Sequence, residues 1–160
     1  MERKRKHAHQ VTRCAAPEGV TRFHELKALF RTLLGPGGCH WDREQTHETL
    51  IPFLREEAEE FIAAVERGDR EHMREELGDI LLQVMFHAQL ASGDGAFTVE
   101  DVIAGLIDKL TRRHPHVFSD TKVGSSREVV ENWNRIKAGE KRAGAHPITT
   151  FAQTGKAGKR

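Results

Sequence analysis

Ten acidic side chains crowd the stretch from Glu56 to Asp79, against three arginines, and two groups among them have a spacing that carries chemistry. Glu56-Glu57-Ala58-Glu59-Glu60 and Glu76-Leu77-Gly78-Asp79 each hold carboxylates three residues apart. On a helix that spacing puts both on one face, with about 5–6 Å between Cβ atoms, so Glu57 pairs with Glu60 and Glu76 with Asp79. The apolar positions indicate the direction. Glu57 falls in register with Leu50, Leu54, Phe61 and Ala64, while Glu76 and Asp79 flank Leu77 and Ile80. Four carboxylates aimed into a seam between helices repel strongly where the dielectric is low. Hard divalent cations with oxygen ligands relieve that repulsion, and an all-carboxylate set points to Mg²⁺ or Mn²⁺. An acidic run on a helix is more often a solvated face, and Glu59, Glu66 and Glu71 are read that way. The second in-phase pair on the next helix sets the other four apart.

Charge is segregated further along the chain. From Lys109 to Arg142 nine Lys and Arg stand against four acids, although the whole chain carries a net charge of only +1. Such segregation is self-repelling unless a cation sits in the acidic part and an anion near the basic part. A metal-bound phosphate ester satisfies both; two separately solvated helix faces are the plainer alternative.

These residues need elements to hold them, and the periodicity predicts five helices and no strand. The first runs near Thr21–Leu34 on a stripe of Phe23, Leu26, Leu29, Phe30 and Leu33, and stops at Gly35–Gly38. The second starts near Thr46 and ends at Gly68. Asp69 caps the third, which continues to about Ser92. The fourth starts at Thr98, with Asp101 completing a capping box, and ends before Pro115. The fifth carries Glu128 through about Lys141, launched by Ser125. Helices of this length with short turns bury their stripes as antiparallel neighbours. Leu50, Leu54, Phe61, Ala64 and Val65 are expected in that core, facing Leu77, Ile80, Leu81, Val84 and Ala88. The fold class is therefore all-α, a helical bundle built on an acidic hairpin. Residues 21–142 form the expected helical domain, between a basic, disordered tail over 1–20 and a loose C-terminal tail over 143–160. The two cysteines, Cys14 and Cys39, form no CxxC pair, which gives neither a zinc knuckle nor a disulfide framework and makes a reducing cytoplasm the default. No apolar run approaches the roughly 18 residues of a membrane helix, and nothing reads bases, so neither membrane nor nucleic acid is an expected partner.

The acidic pattern resembles the MazG family, whose hallmark is EExxE followed after a short helical hairpin by ExxD. Ahead of it, Gly38–His47 (GCHWDREQTH) is similar to the family's GCPWDxxQTH. Behind it, Lys109–Phe118 (KLTRRHPHVF) and Trp133–Lys137 (WNRIK) are similar to its KxxRRHPHVF and WxxIK segments. The resemblance spans about Phe23 to Lys141. It implies an Mg²⁺-dependent enzyme that hydrolyses nucleoside triphosphates to monophosphate and pyrophosphate, water attacking the α-phosphate. It further implies that Glu57, Glu60, Glu76 and Asp79 bind the metal and that Glu56 and Glu75 orient metal or water. Lys109, Arg113, Trp133 and Lys137 match positions for nucleotide contact and catalysis, and Trp41 lies in the matching loop. Spacing does not assign the general base, for which Glu56 is preferred. A homodimer that completes a four-helix core is also implied, since one hairpin is a thin core. His40 stands where the family usually has proline, which bears on the rigidity of that loop.

Related carboxylate hairpins serve dUTP/dCTP and phosphoribosyl-ATP pyrophosphatases, so the acids alone do not choose among substrates. A di-iron bundle needs repeated Glu-x-x-His, and only Glu44–His47 fits. A helical dimerisation module without catalysis is the remaining alternative. His114 and His116 are read as capping and loop packing around Pro115, Cys39 as a packed loop residue, and Gly35–Gly38 as no phosphate loop, since no GK[ST] follows.

Overall fold

Thr46 and Asp69 set the frame of the molecule, because each starts one of its two longest helices. The computed structural model describes residues 22–142, so the expected tails over 1–20 and 143–160 lie outside the described residues. Among those residues every element is helical. They divide into two compact units between Glu44 and Gln45.

The first unit holds α1 (Arg22–Leu34) and α2 (His40–Arg43). Phe30 is the buried residue of the expected α1 stripe, while Leu29 stays exposed. The turn that follows needs glycine: a Cβ on Gly38 would run into the Leu33 carbonyl oxygen. That carbonyl accepts from the Cys39 N–H at 2.9 Å. The single turn of α2, over the GCHWD segment, is absent from the five predicted helices, since four residues are too few for a periodicity to register.

The second unit runs α3 (His47–Arg67), α4 (Arg70–Gly93), α5 (Val99–Arg113), α6 (Pro115–Phe118) and α7 (Ser126–Arg142). At the start of α3, Thr46 Oγ1 accepts from Thr49 N–H, and Thr49 Oγ1 accepts from Thr46 N–H at 2.8 Å. Gly68 ends α3 at φ 68°, a left-handed conformation that glycine adopts without steric cost. Asp69 then accepts from His72 N–H and starts α4. Two residues between such helices force an antiparallel hairpin, and α3 and α4 pack along their length. Thr98 and Asp101 form the expected capping box of α5, which packs on α4 and carries α7 against it. Pro115 does end α5, but it also opens α6 from the first helical position, where its missing N–H is harmless.

The core is thinner than the stripes suggested. Leu50, Ala64 and Ala88 are buried as expected, joined by Met85, Phe86, Ala91 and Val99. Phe61 and Ile80 are half-buried. Leu54, Val65, Leu77, Leu81 and Val84 remain substantially exposed, Leu77 at 52%. The reason is geometric: α4 is apolar on more than one face, and periodicity marks apolar positions without saying which face finds a partner within the chain. No helix among the described residues is long and apolar enough to cross a membrane.

Candidate functional site

The antiparallel register of α3 and α4 converts two sequence spacings into one cluster. Glu57 from α3 and Glu76 and Asp79 from α4 offer carboxylate oxygens that all lie within 4.8 Å of one another. Glu76 is only 6% exposed, while Glu57 and Asp79 are half-buried. Glu60 is exposed and stands outside this closest group, although its charge acts on both Glu57 and Glu76. Glu56 and Glu75 are exposed beside it.

The electrostatics fit what the geometry suggests. Burial, and then the charges of Asp79, Glu60, Glu76 and Glu56, push the Glu57 carboxyl above its ordinary range. Burial, then Glu60, Asp79 and Glu75, do the same to Glu76, opposed by His72. The charges that act most strongly on Glu57 are all acids. A cluster in which the strongest charges acting on Glu57 and Glu76 are mostly other acids fits a hard divalent cation, whose ligands are oxygens of this kind. One turn beyond Asp79, Gln83 is 3% exposed, and its Oε1 has no hydrogen-bond partner among the described residues.

A second cluster forms where α5 meets α7. Arg113 donates from Nε and Nη2 to Glu140 Oε2, at 3.1 and 2.7 Å. Arg112 Nη1 donates to Glu140 Oε1 at 2.6 Å, and its Nε to Asp108. Arg113 Cζ lies 5.0 Å from the centre of the Trp133 ring, a cation–π distance. His114 meets the same indole edge-on and donates from Nδ1 to the Leu110 carbonyl at 2.7 Å. Glu140 is held below the usual carboxylate range, chiefly by its hydrogen bond from Arg113 and further by Arg112 and Lys109. Lys137, four residues past Trp133, is exposed.

The expected site residues thus gather into an acidic seam and a basic, indole-bearing corner, and no ion pair joins the two among the described residues. Trp41 is on α2, half exposed, in the first unit. Sequence reasoning missed Glu140, although Arg112 and Arg113 side by side at a helix end invite a counter-charge. It also missed the contact of His47 with His87, whose Nδ1 atoms lie 2.7 Å apart.

Residues 45–118 match the MazG nucleotide pyrophosphohydrolase domain. The chain is 53% identical over 119 residues to a nucleoside triphosphate pyrophosphohydrolase/pyrophosphatase MazG of Thermotoga maritima, covering 74% of this chain and 45% of that protein. A nucleoside triphosphate pyrophosphohydrolase of Escherichia coli K12 is 42% identical over 123 residues, covering 76% and 47%. The chain therefore spans less than half the length of these curated relatives. Among solved structures, the crystal structure of a mazG-related protein from Thermotoga maritima superposes with a TM-score of 0.58 at 30% identity. That match covers 71% of this chain and 96% of the other.

Proposed function

The chain belongs to the MazG nucleotide pyrophosphohydrolase family, and from that premise we propose that it hydrolyses nucleoside triphosphates to nucleoside monophosphate and pyrophosphate with Mg²⁺, or Mn²⁺ in its place. The observation that carries this reading is the convergence of Glu57, Glu76 and Asp79 within 4.8 Å, around a buried carboxylate that Glu60, Asp79 and Glu75 push toward its protonated form. A purely structural seam would not retain such repulsion, because burying like charges side by side is costly.

Glu57, Glu76 and Asp79 would hold the metal, with Glu60 as a further ligand implied by the resemblance. When bound, the ion offsets charge that builds on the phosphoryl oxygens. Glu56 or Glu75 takes the proton of the attacking water, with Glu56 preferred. Lys109, Arg113 and Lys137 donate hydrogen bonds to the triphosphate, and the indole of Trp133 packs against the nucleotide. Trp41 is assigned to substrate binding on the resemblance alone. The apolar faces that α3 and α4 leave open support a homodimer. A cytoplasmic location completes the reading.

The test is to incubate the purified protein with each of the eight common NTPs and dNTPs plus Mg²⁺ and assay pyrophosphate directly, with Asp79→Asn as control. Pyrophosphate release that Asp79→Asn abolishes is the expected result, and the ranking of substrates gives the specificity. Release confined to dCTP, or to dUTP assayed as a ninth nucleotide, would replace the broad reading with a narrow one. No release with Mg²⁺ or Mn²⁺ would overturn the broad reading in favour of a narrow relative such as a phosphoribosyl-ATP pyrophosphatase, or of a helical dimerisation module.

A further inference from the structure

Arg113 is held on two sides by α7. Its Nε and Nη2 donate to Glu140 Oε2, at 3.1 and 2.7 Å, and its guanidinium carbon lies 5.0 Å from the centre of the Trp133 ring. Trp133 and Glu140 are seven residues apart, two turns of helix, so they share the face that α7 turns to α5. The Arg113 and Glu140 side chains are each only 14% exposed. The other carboxylate oxygen, Oε1, takes Arg112 Nη1 at 2.6 Å.

This arrangement uses one edge and one face of the Arg113 guanidinium. Nη1, with two N–H donors, has no protein acceptor among the described residues. A planar group fixed on an edge and a face has one orientation, so its remaining donors point one way. Net charge argues in the opposite direction. Glu140 sits under the influence of Lys109, Arg112 and Arg113, and a carboxylate there weakens the attraction of the corner for a polyanion.

We infer that Glu140 is a positioning residue for the reaction: it fixes the Arg113 guanidinium against Trp133 so that Nη1 meets an oxygen of the substrate's triphosphate. The inference rests on the reading of Arg113 as a phosphate contact given under the proposed function. Glu140 itself touches no substrate; it acts through Arg113.

The two views of Glu140 predict opposite signs. A glutamine amide has one carbonyl oxygen where the carboxylate has two, so Glu140→Gln can serve only one of the two arginines while making the corner more positive. The experiment measures kcat and KM for pyrophosphate release from the best of the eight nucleotides. It compares the unaltered protein, Glu140→Gln, Arg113→Ala and the double variant, with thermal melts of each. The expected result is KM raised roughly 10- to 100-fold by either single substitution, the size of one lost charge-assisted hydrogen bond. The double variant should be no worse than Arg113→Ala. An unchanged or lowered KM in Glu140→Gln would overturn the inference in favour of simple charge. Losses that multiply in the double variant would overturn it in favour of an independent structural role. Should Glu140→Gln fail to fold, Glu140→Asp keeps the charge but moves the carboxylate back by one methylene; a raised KM there supports positioning, and an unchanged KM overturns it. An unaltered protein that releases no pyrophosphate from any nucleotide would sink the proposed function first, and this inference with it.

Discussion

Glu76 and Glu140 are the same residue type under opposite orders. Glu76 lies in the α3–α4 seam among acids, and burial and like charges raise its carboxyl above the ordinary range. Glu140 lies among cations, and its hydrogen bond from Arg113 lowers it. Environment, not identity, sets each one's chemistry. For the acidic seam the sign of the linkage is direct. A carboxyl raised on folding keeps a proton that the unfolded chain releases, so ionisation works against the fold, and metal-free stability falls as pH rises through the carboxylate range. Glu57→Gln removes one of the repelling charges. In EDTA at neutral pH it is expected to raise the melting temperature by about 2–4 °C, the shift that ~1 kcal/mol gives in a chain of this size. Millimolar Mg²⁺ should raise the melting temperature of the unaltered protein, by mass action on the folded state, and leave Glu57→Gln nearly unmoved. Differential scanning fluorimetry with and without the ion checks both. An unaltered protein indifferent to Mg²⁺ and Mn²⁺ would count against the metal assignment.

At the scale of elements, the α3–α4 hairpin is anchored at its open end by a pair of histidines. The Nδ1 atoms of His47 and His87 are 2.7 Å apart, their planes are 1° from parallel, and their ring centres are 5.0 Å apart. Nitrogens so much closer than the ring centres mean that the rings meet edge to edge in a common plane rather than face to face. One Nδ1 must then carry the proton and the other accept it. Burial, and then the charge of His47, push His87 below its ordinary value. A histidine lowered on folding stabilises the fold above its unfolded pKa, near 6.5. That contribution is lost as pH falls through the lower, folded value. In denaturant titrations from pH 7.5 to the acid side of 6.5 the unaltered protein should therefore lose stability relative to His87→Gln, a difference in which the acidic seam, common to both proteins, cancels. Equal pH slopes for both proteins would remove the pair from the account of acid stability.

For the whole molecule, the apolar surface is the unfinished part. Leu77 and Leu81, four residues apart on α4, are 52% and 42% exposed, and Ile62 and Val65 on α3 are exposed as well. Exposed apolar residues at helical spacing on both helices of a hairpin form the kind of face that an isologous contact between two copies buries. The homodimer belongs to the proposed reading, and it makes a separate prediction. Sedimentation velocity should give a dimer for the unaltered protein. The double substitution Leu77→Glu and Leu81→Glu should give a folded monomer, because neither residue contributes to the buried core of the single chain. A monomer at all concentrations for the unaltered protein would leave the open face without this partner.

Read alone, the sequence determined five of the seven helices, all but the single turns α2 and α6, and the chemistry each could carry. Caps at Thr46, Asp69, Thr98 and Ser125, and the stop at Gly68, are local: a side-chain oxygen and a backbone N–H within three or four residues decide them. The two acidic spacings were legible for the same reason, since one helical turn brings them onto one face. The tertiary structure alone decided what crosses between helices. It selected Glu57, Glu76 and Asp79 as the closest acids and left Glu60 at the rim. It brought Arg113 to Glu140 across 27 residues and set it over Trp133, and it brought His47 to His87 across 40. It also left half of the expected core open. Pairings at such distances depend on the register in which helices dock, and docking register is a property of whole faces packed together, which no local spacing encodes.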